Sequence, residues 1–566
     1  EEDDSEFDGT LTVTAKYKNP TTEAVTLAFE KDRANDRKIW VKSEGDYEID
    51  HTANRKTYSD FFNKEMVLFS KDDCERSIAS IDGLKISQRK ILHTILKRKI
   101  FSESKEVRVA QLASYTIGDT KYHHGESSLV GAIKKMGANF TGSNNLNLIF
   151  PSGQYGTRVT NGADAASERY IHAYLEPIAQ LLVKDIDNDV LDYVDDDGVV
   201  VEPKIFAPIL PLILINGTSG IGTGYASDVT KYNPKDIINI TKAKINGEEP
   251  NYNIKPYFKG FTGSIIKSVN EPGKFLVYGK YQIVNETTIR ITELPLGSKV
   301  AKCPEDYKAF LDKMQTITKM QKVKKIESFE EDMVSDPPIF HVTMDEEKLD
   351  ELRKKKGIYK YFNLVTTIST GNMNLYDYNG NLKHYNHISE IVDDFYDMRY
   401  DIYEKRKAFL TNKFENEANI LRWKMKFIKD VISETIVIFK QKKTDIIARL
   451  VEIGYPKIAK IKSLTDVNND DDEDKGANYN YLIDMKLFML TAEKIKELQD
   501  QLDAKEEELD VVKTTTIEEQ WLYEIDEFET SYDEWVNRVP EVITVAKKAK
   551  KIAKKAKKVT KKIIEK

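Results

Sequence analysis

The residues with the clearest chemical potential are a tyrosine that follows an arginine and two adjacent histidines. Tyr170 and Arg169 end the segment 166–170 (ASERY), and His123 and His124 lie in the segment 122–126 (YHHGE). A phenol has a pKa of about 10, well below that of an alkyl alcohol, so it can attack a phosphodiester and later depart again. A neighbouring guanidinium or imidazole can stabilise charge on the phosphate, which is typically worth about 3–4 kcal/mol of the barrier. These residue types indicate phosphoryl transfer.

Each motif also fits an ordinary structural role: Tyr170 could be an aromatic on a helix face, and the histidines could be scaffolding. The surroundings favour chemistry, because the chain from about 60 to 235 places glycine-rich loops between short apolar segments. Two such loops are 144–158 (NNLNLIFPSGQYGTR) and 215–224 (INGTSGIGTG). Glycine permits close approach of a ligand backbone. Together with the basic segment 82–90 (DGLKISQRK), these loops are typical of a phosphate site.

Composition sets the limits for the rest of the chain. Its 566 residues and 65.0 kDa allow three or four domains, and 40% hydrophobic with 32% charged residues excludes collagen and wholesale disorder. The net charge is −7, so any basic surface must be local. Two cysteines, Cys74 and Cys303, exclude a disulfide framework. We expect no membrane span, no signal peptide in the acidic opening EEDDSEFD, and a buried core segment at 206–215 (FAPILPLILI).

Charge is strongly segregated towards the end of the chain. The run 466–475 (DVNNDDDEDK) is acidic and is expected to be an exposed loop. The last twenty residues, 547–566, contain eleven lysines and one glutamate. That tail can be a solvated, disordered end, or it can be a phosphate-binding arm or a nuclear-import signal.

Hydrophobic spacing predicts the regular elements that position the motifs. Alternation at 274–278 (KFLVY) and 288–291 (TIRI) predicts strands. A helical stripe follows from Ile391 to Ile432, and a second stripe at heptad spacing runs from Ile495 to Val512, interrupted by Lys505. Two such helices separated by about fifty residues can form an antiparallel coiled-coil hairpin, although two amphipathic helices packed on a globular body would share the pattern.

In this order, the motifs resemble the DNA breakage-reunion core of the type IIA topoisomerases. YHHGE lacks a proline that the gyrase-like version carries, and 153–158 (GQYGTR) is also similar to the eukaryotic and large-virus topoisomerase II type. Later segments agree with this resemblance: 259–263 (KGFTG), 291–295 (ITELP) and 481–485 (YLIDM). The resemblance extends from about Thr26 to about Trp535.

The resemblance implies an α+β multidomain fold with a winged-helix module, a β-rich tower, and an antiparallel coiled-coil arm that ends in a helical dimer gate. The expected parts are a segment following a TOPRIM domain (1–54), the winged-helix breakage-reunion domain (55–235), the tower (236–385), the arm (386–440 and 487–535), the dimer gate with its acidic loop (441–486) and a basic tail (536–566).

For the active site, the resemblance implies that Tyr170 is the nucleophile and forms a 5′-phosphotyrosyl link. Arg169 would stabilise charge on the phosphate, and His124, with His123 as a second candidate, would donate to a phosphate oxygen or help to move the phenol proton. Glu168 departs from the family pattern, and its carboxylate could pair with Arg169 and weaken the hold of Arg169 on phosphate.

For DNA binding, the resemblance implies backbone contacts at the start of a helix and an apolar wedge between base pairs. Ile221 is the expected wedge, for which a buried core isoleucine is the alternative. The expected or possible backbone contacts are Lys85, Gln88, Arg89, Lys90, Lys134, Asn139 and Asn144.

The same resemblance implies partners and cofactors. Double-stranded DNA, a second copy of the chain, and TOPRIM and ATPase domains or subunits are the expected partners. Mg²⁺ is expected mainly from a TOPRIM domain outside this chain, ATP from the ATPase part of the complete enzyme, and no metal site from these residues. The expected location is the nucleus, or a viral replication site or virion.

Two other functions remain open at this level. A non-catalytic coiled-coil protein that clamps and organises DNA would explain the hairpin and the basic tail, but it gives no reason for ASERY beside YHHGE. A metal nuclease built on YHHGE would need nearby acidic residues at ligand spacing, and the sequence lacks acids at that spacing.

Overall fold

The structure is a computed structural model that describes residues 20–43, 56–298, 301–316, 324–458, 478–485 and 491–537. It combines helices with small antiparallel sheets, which confirms the predicted α+β multidomain class. Three predicted features lie wholly or partly outside the described residues. They are the first predicted part, of which 1–19 and 44–54 are not described, the acidic run at 466–475 and the lysine-rich tail at 547–566.

The first described helices form a layer beneath the body of the protein. A small core joins Trp40 and Val67 to Cys74 and Tyr225, so this layer packs directly on a hairpin of the body. Its elements are α1 (Pro20–Phe29), a 3-10 turn (Lys31–Arg33), α2 (Ala34–Lys42), α3 (Tyr58–Asp60), a π-helical turn (Phe61–Met66) and α4 (Val67–Ser77).

The body contains the largest core and all the motifs between 77 and 225. The segment 206–215 lies in this core, as predicted. The body elements are α5 (Ile86–Lys97), a 3-10 turn (Glu103–Lys105), β1 (Val107–Arg108), α6 (Val109–Thr120), α7 (Glu126–Gly137), β2 (Ile149–Ser152), β3 (His172–Leu175), α8 (Pro177–Leu182), a 3-10 turn (Asp185–Asp189), β4 (Tyr193–Asp196), β5 (Val199–Pro203), α9 (Leu212–Asn216), β6 (Thr218–Gly222), β7 (Tyr225–Val229) and α10 (Pro234–Ile245). Helices α5 to α7 and the antiparallel sheet β1-β3-β2 lie within the segment for which the resemblance implies a winged helix.

The β-rich region that follows has its own core, formed by residues between Ile289 and Leu364. Strands were predicted correctly at β9 and β11. The elements are β8 (Ser264–Lys267), β9 (Lys274–Tyr278), β10 (Lys280–Ile283), β11 (Thr288–Glu293), α11 (Pro304–Gln315), β12 (Ser328–Asp332), β13 (Ile339–Thr343), α12 (Glu346–Lys354), α13 (Ile358–Tyr361), β14 (Val365–Ser369), β15 (Met373–Tyr376) and β16 (Leu382–Tyr385). Sheets β10-β11-β13-β12 and β14-β9-β8 form this region.

The cores divide the chain differently from the boundaries proposed at 236 and 385. Helix α10, with Ile237 and Ile238, packs into the body core although the sequence assigned it to the tower. Met373 and Tyr385 of β15 and β16 also belong to the body core. Spacing along the sequence cannot show which apolar face meets which core.

The long helix predicted from the stripe at 391–432 is α14 (Ile388–Ile432), which spans 45 residues. It pairs with α17 (Ala492–Thr514) in antiparallel orientation, because Glu415 lies beside Lys513 and Arg422 beside Glu506. Lys505, which interrupts the apolar seam, pairs with Glu417 and lies 4.9 Å from the Phe414 ring centre. Two short helices near the far end of α14 are α15 (Lys443–Ile453) and α16 (Asn480–Ile483).

The predicted heptad stripe at 495–512 lies within α17, and a second helix follows within the segment 487–535 that the resemblance assigns to the arm. Thr516 accepts from Glu519 N (3.1 Å), while the Glu519 side chain accepts from Thr516 N (2.9 Å). This capping box starts a new helix, α18 (Ile517–Val536). Helix α18 packs on the body, where Trp521 Nε1 donates to Ile209 O (2.8 Å).

A buried group of charges joins the root of the arm to the body. Arg399 and Arg406 of α14 donate to Asp187 at 2.7 and 2.6 Å, and Arg406 also donates to Glu524 of α18 at 2.7 Å. All four residues are buried, and Tyr403 donates to Glu524 (2.8 Å). Buried charges are stable only when they are paired, so this group holds three separate segments in one arrangement.

We predict that Asp187→Ala lowers the free energy of unfolding by about 3–5 kcal/mol, because Arg399 and Arg406 would keep buried charge with one carboxylate removed. Urea unfolding followed by tryptophan fluorescence measures this change. Glu452→Ala, which breaks an exposed pair with Arg449, is the control and should leave the midpoint unchanged. An Asp187→Ala midpoint equal to that of the control would contradict the prediction.

Candidate functional site

Tyr170 lies in a turn that leads into β3, not on a helix face. Its backbone N–H donates to Ser167 O (2.9 Å), and its side chain is 72% exposed. The turn is tied to the start of α6, because Val109 N donates to Ile171 O (3.0 Å) and Ala110 N to Glu168 O (3.2 Å). The phenol therefore faces solvent from a backbone that is hydrogen-bonded on both sides.

The strand pairing beside the turn explains one of the glycines of the sequence motif. Ser152 pairs with His172, and Gly153 follows with a φ of +117°. A Cβ at Gly153 would lie 2.8 Å from Cγ2 of Ile171, the buried residue next to Tyr170. Glycine at this position lets Ile171 pack closely, which fixes where the Tyr170 turn begins and ends.

Arg169 is exposed beside Tyr170, with its guanidinium carbon 5.7 Å from the phenol ring centre. Within the described part of the chain, Arg169 forms no ion pair. The expectation that Glu168 pairs with Arg169 is wrong here, because the Glu168 carboxylate lies 3.6 Å from Lys134 Nζ on α7. Arg169 therefore remains open to an anion.

The two histidines lie in the loop between α6 and α7 and have different surroundings. His123 Nε2 lies 3.1 Å from Asp196 Oδ2 of β4, and Lys121 Nζ donates to Asp196 O (2.7 Å). His124 is exposed and contacts the Tyr122 ring edge-on at 5.3 Å. Asp196 therefore holds His123, whereas His124 faces solvent without a hydrogen bond from any described residue.

The structure does not bring the histidines against Tyr170 within one chain. No described hydrogen bond links either histidine to Arg169 or Tyr170. Lys134, which contacts the tyrosine turn through Glu168, lies on α7 eight residues after Glu126, the first residue of that helix, or about 12 Å along its axis. Transfer of the phenol proton to His124 of the same chain has no support in this geometry, whereas contact of His124 with a phosphate does.

Ile221 is 81% exposed near the tip of the β6–β7 hairpin, which excludes the buried-core alternative. The hairpin lies tightly on α4: a Cβ at Gly220 would be 1.9 Å from Ser77 O. Asp73 Oδ2 accepts from both N and Oγ1 of Thr223 in the hairpin turn (2.8 and 2.9 Å). An apolar side chain is therefore presented to solvent from a firmly held support.

A cleft of about 1240 Å³ lies between the body and the β-rich region. Its lining includes Lys85 and Gln88 at the start of α5 and Asn144 after α7. Five basic residues and one acidic residue line it, although the whole chain carries net negative charge. One of the five, Arg158, is paired with the buried Glu293, so four lysines supply the unpaired charge. Burial and the neighbouring Lys135 lower the pKa of Lys85. A cleft with this excess of positive charge suits a polyanion.

Two predicted DNA contacts are instead buried structural groups, which is a correction. Arg89 donates to Asp82 through Nε and Nη2 (3.0 and 3.1 Å). Lys90 donates to Thr120 O (2.8 Å) and to Glu202 (2.9 Å). Both residues are buried, so in this structure they stabilise α5 and do not face the cleft.

Three other residues that were predicted to contact DNA already form hydrogen bonds within the protein. Gln88 Oε1 accepts from Lys85 N (2.9 Å) and caps α5. Asn144 Nδ2 donates to Lys135 O and Ala138 O (2.7 and 2.9 Å) at the end of α7. Lys85 Nζ donates to Ser219 O (2.8 Å), and Asn139 is exposed.

Comparison with known proteins agrees with this arrangement. Residues 76–529 match the family model for the A-type subunit of DNA gyrase/topoisomerase IV, and residues 6–74 match the C-terminal associated domain of TOPRIM. The chain belongs to this DNA gyrase/topoisomerase IV family. The second match overlaps the segment 1–54 that was expected to follow a TOPRIM domain and extends beyond it to residue 74.

Within this family, the chain is similar to curated topoisomerase II proteins and to a solved topoisomerase II structure. The chain is 37% identical over 530 residues to DNA topoisomerase 2 of Arabidopsis thaliana (89% of this chain, 35% of the relative). It is 34% identical over 578 residues to DNA topoisomerase 2 of Acanthamoeba polyphaga mimivirus (92% and 44%). A crystal structure of the Plasmodium falciparum topoisomerase II DNA-binding, cleavage and re-ligation domain is similar, with a TM-score of 0.79, 35% identity, and 92% of this chain and 71% of that chain covered.

These matches confirm the predicted likeness to the eukaryotic and large-virus topoisomerase II enzymes. The chain spans less than half the length of each of these two curated relatives.

The landmark segments of this family could be found from the sequence, but the buried contacts between them could not. Arg158 of GQYGTR forms a buried ion pair with Glu293 of ITELP, and Thr262 of KGFTG donates to Glu293 through N (3.0 Å) and Oγ1 (2.8 Å). Asn145 similarly donates to Ile215 O (3.0 Å) and accepts from Lys259 N (2.9 Å). These buried contacts join the body to the β-rich region on one side of the cleft.

Four cations of the cleft have no role predicted from the sequence: Lys135, Arg158, Lys231 and Lys302. Lys135 directly follows Lys134, so the two adjacent lysines could have indicated it. Lys231 could not, because it lies outside the motifs; its ammonium donates to Gly142 O (2.9 Å), and burial lowers its pKa to about 8.

The described residues do not fit a resident metal ion. No group of three or more His, Cys, Asp or Glu side chains within them is arranged to bind one.

We predict that Gly220→Ala shifts the β6–β7 hairpin and destabilises the protein by about 1–3 kcal/mol, because the new Cβ would overlap Ser77 O. Thermal unfolding measures the loss. Gly118→Ala on α6 is the control, since a Cβ there meets nothing within 4 Å. A Gly220→Ala protein that unfolds at the same temperature as the control would contradict the prediction.

Proposed function

We propose that this chain performs the DNA breakage and reunion step of a type IIA topoisomerase. The observation that carries the proposal is the 72% exposed Tyr170 phenol beside Arg169 in a chain of this family. The similar Plasmodium falciparum structure is named for DNA binding, cleavage and re-ligation, which supports the assignment.

In the proposed reaction, the Tyr170 hydroxyl oxygen attacks a DNA phosphorus and forms a phosphotyrosyl ester with the 5′ end. The bond from phosphorus to the 3′ oxygen breaks, and that oxygen takes up a proton in balance with the one that the phenol loses. Reversal of the same exchange reseals the strand without consuming a nucleotide, because one phosphodiester replaces another.

Arg169 and His124 are the proposed groups that stabilise the reacting phosphate. Arg169 is exposed and free of a carboxylate partner among the described residues, so its guanidinium can bind a phosphate oxygen in two-point geometry. His124 faces solvent and can donate to a phosphate, while His123 is assigned to holding the loop through Asp196.

The cleft and the hairpin are the proposed DNA-binding surface. Lys85, Gln88 and Lys135 line the cleft, and these donors can bind the phosphate backbone without reading sequence. Ile221 is the proposed wedge: unstacking a base step costs a few kcal/mol, and the contacts that a bent duplex gains offset this cost.

The complete reaction is proposed to need partners. Two copies of the chain would cut the two strands, because each Tyr170 can bind one 5′ end. A TOPRIM domain would supply Mg²⁺, and an ATPase part would drive passage of a second duplex. The match of residues 6–74 to a TOPRIM-associated domain supports the TOPRIM domain as a partner.

The proposed location is the nucleus or a viral replication site or virion, in line with the eukaryotic and viral relatives. Among the helices that the structure describes, none combines the length and apolar character needed to cross a membrane.

We predict that Tyr170→Phe abolishes covalent attachment to DNA, because phenylalanine lacks the attacking oxygen. The protein is mixed with a TOPRIM domain, Mg²⁺ and supercoiled plasmid, denatured with detergent, and protein-linked 5′ ends are counted. Tyr523→Phe, another exposed tyrosine, is the control and should retain the link. Binding without any link in the unmodified protein would favour the DNA clamp, and free cut ends would favour a nuclease.

We predict that Ile221→Ala reduces DNA bending without loss of stability, because the side chain is exposed and supports no core. End-to-end energy transfer on a labelled duplex measures the bend, with Val334→Ala, another highly exposed aliphatic residue, as the control. A bend unaffected by Ile221→Ala would refute the wedge.

A further inference from the structure

We propose that Lys134 neutralises the Glu168 carboxylate through an ion pair, called the brace below, and so keeps Arg169 available for phosphate. Lys134 is then a positioning residue. This inference rests on the proposed function and adds a role that departs from the sequence expectation, in which Lys134 touches DNA.

The brace connects the tyrosine turn to α7. Lys134 lies on α7, and its ammonium is 3.6 Å from the carboxylate of Glu168, two residues before Tyr170. The two side chains are 22% and 36% exposed, so the pair is partly exposed to solvent. The Glu168 carbonyl accepts from Ala110 N on α6, so the residue is held through its backbone as well as its side chain.

The charges near the nucleophile would be unfavourable without this pair. A hydrogen bond from its own backbone and the nearby Lys134 and Arg169 lower the pKa of the Glu168 carboxyl, which is therefore ionised at neutral pH. An ionised carboxylate next to Arg169 would compete with phosphate for the guanidinium and would repel the phosphate itself. Lys134 draws the carboxylate towards α7 and cancels its charge.

Direct DNA contact by Lys134 and bracing by Lys134 make opposite predictions for a double substitution. If Lys134 binds DNA, its loss is harmful whatever residue stands at 168. If Lys134 only neutralises Glu168, its loss is harmful only while the carboxylate is present. Substitution of both residues therefore separates the two roles.

The first test compares the rates of covalent complex formation of the unmodified protein, Lys134→Met, Glu168→Gln and the double variant. We expect Lys134→Met to lower the rate about fivefold, the size typical of a single partly exposed charge pair, and the double variant to return within about twofold of the unmodified protein. An equal loss in Lys134→Met and in the double variant would overturn the proposal and establish DNA contact.

Two further measurements separate bracing from general loss of structure. Added salt should shrink the Lys134→Met defect, because screening weakens the exposed carboxylate. The charge exchange Lys134→Glu with Glu168→Lys should restore the rate. Lys308→Met, which breaks a surface pair with Glu331 on other elements, is the control and should leave the rate unchanged. A defect independent of salt, or no recovery on charge exchange, would count against the brace.

A binding experiment keeps the test independent of cleavage. In the Tyr170→Phe background, Arg169→Gln should weaken noncovalent binding of a duplex when Lys134 is present and should have less effect once Lys134→Met leaves Glu168 unpaired. Equal effects in both backgrounds would overturn the proposal. If the unmodified protein forms no covalent link, the proposed function fails while this binding comparison still tests the brace.

Discussion

The Tyr170 phenol must face solvent while the backbone that carries it stays fixed, and much of the body serves that requirement. Hydrogen bonds from Val109 and Ala110 hold the turn, and Gly153 lets Ile171 pack beneath it. The same solution recurs at Ile221, where glycines let a hairpin lie on α4 so that an apolar side chain projects into solvent. An exposed reactive group on a loose loop would lose orientation, so close packing directly behind each exposed residue supports its proposed role.

Charge in this protein is divided between holding the fold and meeting a polyanion. The buried charges of Arg89, Arg158, Arg399 and Arg406 are all paired with carboxylates that come from other elements or from the preceding loop. Such pairs are costly to break, because removal of one partner leaves a charge away from water. The cleft is arranged differently, since its lysines face one acidic residue, and Lys85 and Lys231 donate to backbone carbonyls instead of carboxylates. The net charge of −7 conceals this local excess.

The landmark segments are connected through a few buried polar contacts. Arg158, Glu293 and Thr262 lie far apart in sequence and belong to three segments, yet they share one ion pair and its hydrogen bonds. That contact lies beside the cleft, so the relation between the body and the β-rich region depends on it. The group of Asp187, Arg399, Arg406 and Glu524 does the same at the root of the arm. Both groups favour one relative arrangement of parts that hydrophobic packing alone would specify less sharply.

The sequence by itself determined the fold class, the long stripe of α14, the strands β9 and β11, and the motifs that place the chain in its family. These features are local, because periodicity and short motifs depend on neighbours along the chain. The exposure of Tyr170 and Ile221, the burial of Arg89 and Lys90, and the cleft position of Lys231 were decided only by tertiary structure. The local sequence around an arginine does not show whether its guanidinium binds a carboxylate or a phosphate. The carboxylates that meet Arg158, Arg399 and Arg406 come from segments more than a hundred residues away, whereas Arg89 meets Asp82 seven residues before it. Spacing along the sequence therefore found the site but could not assign every cation in it.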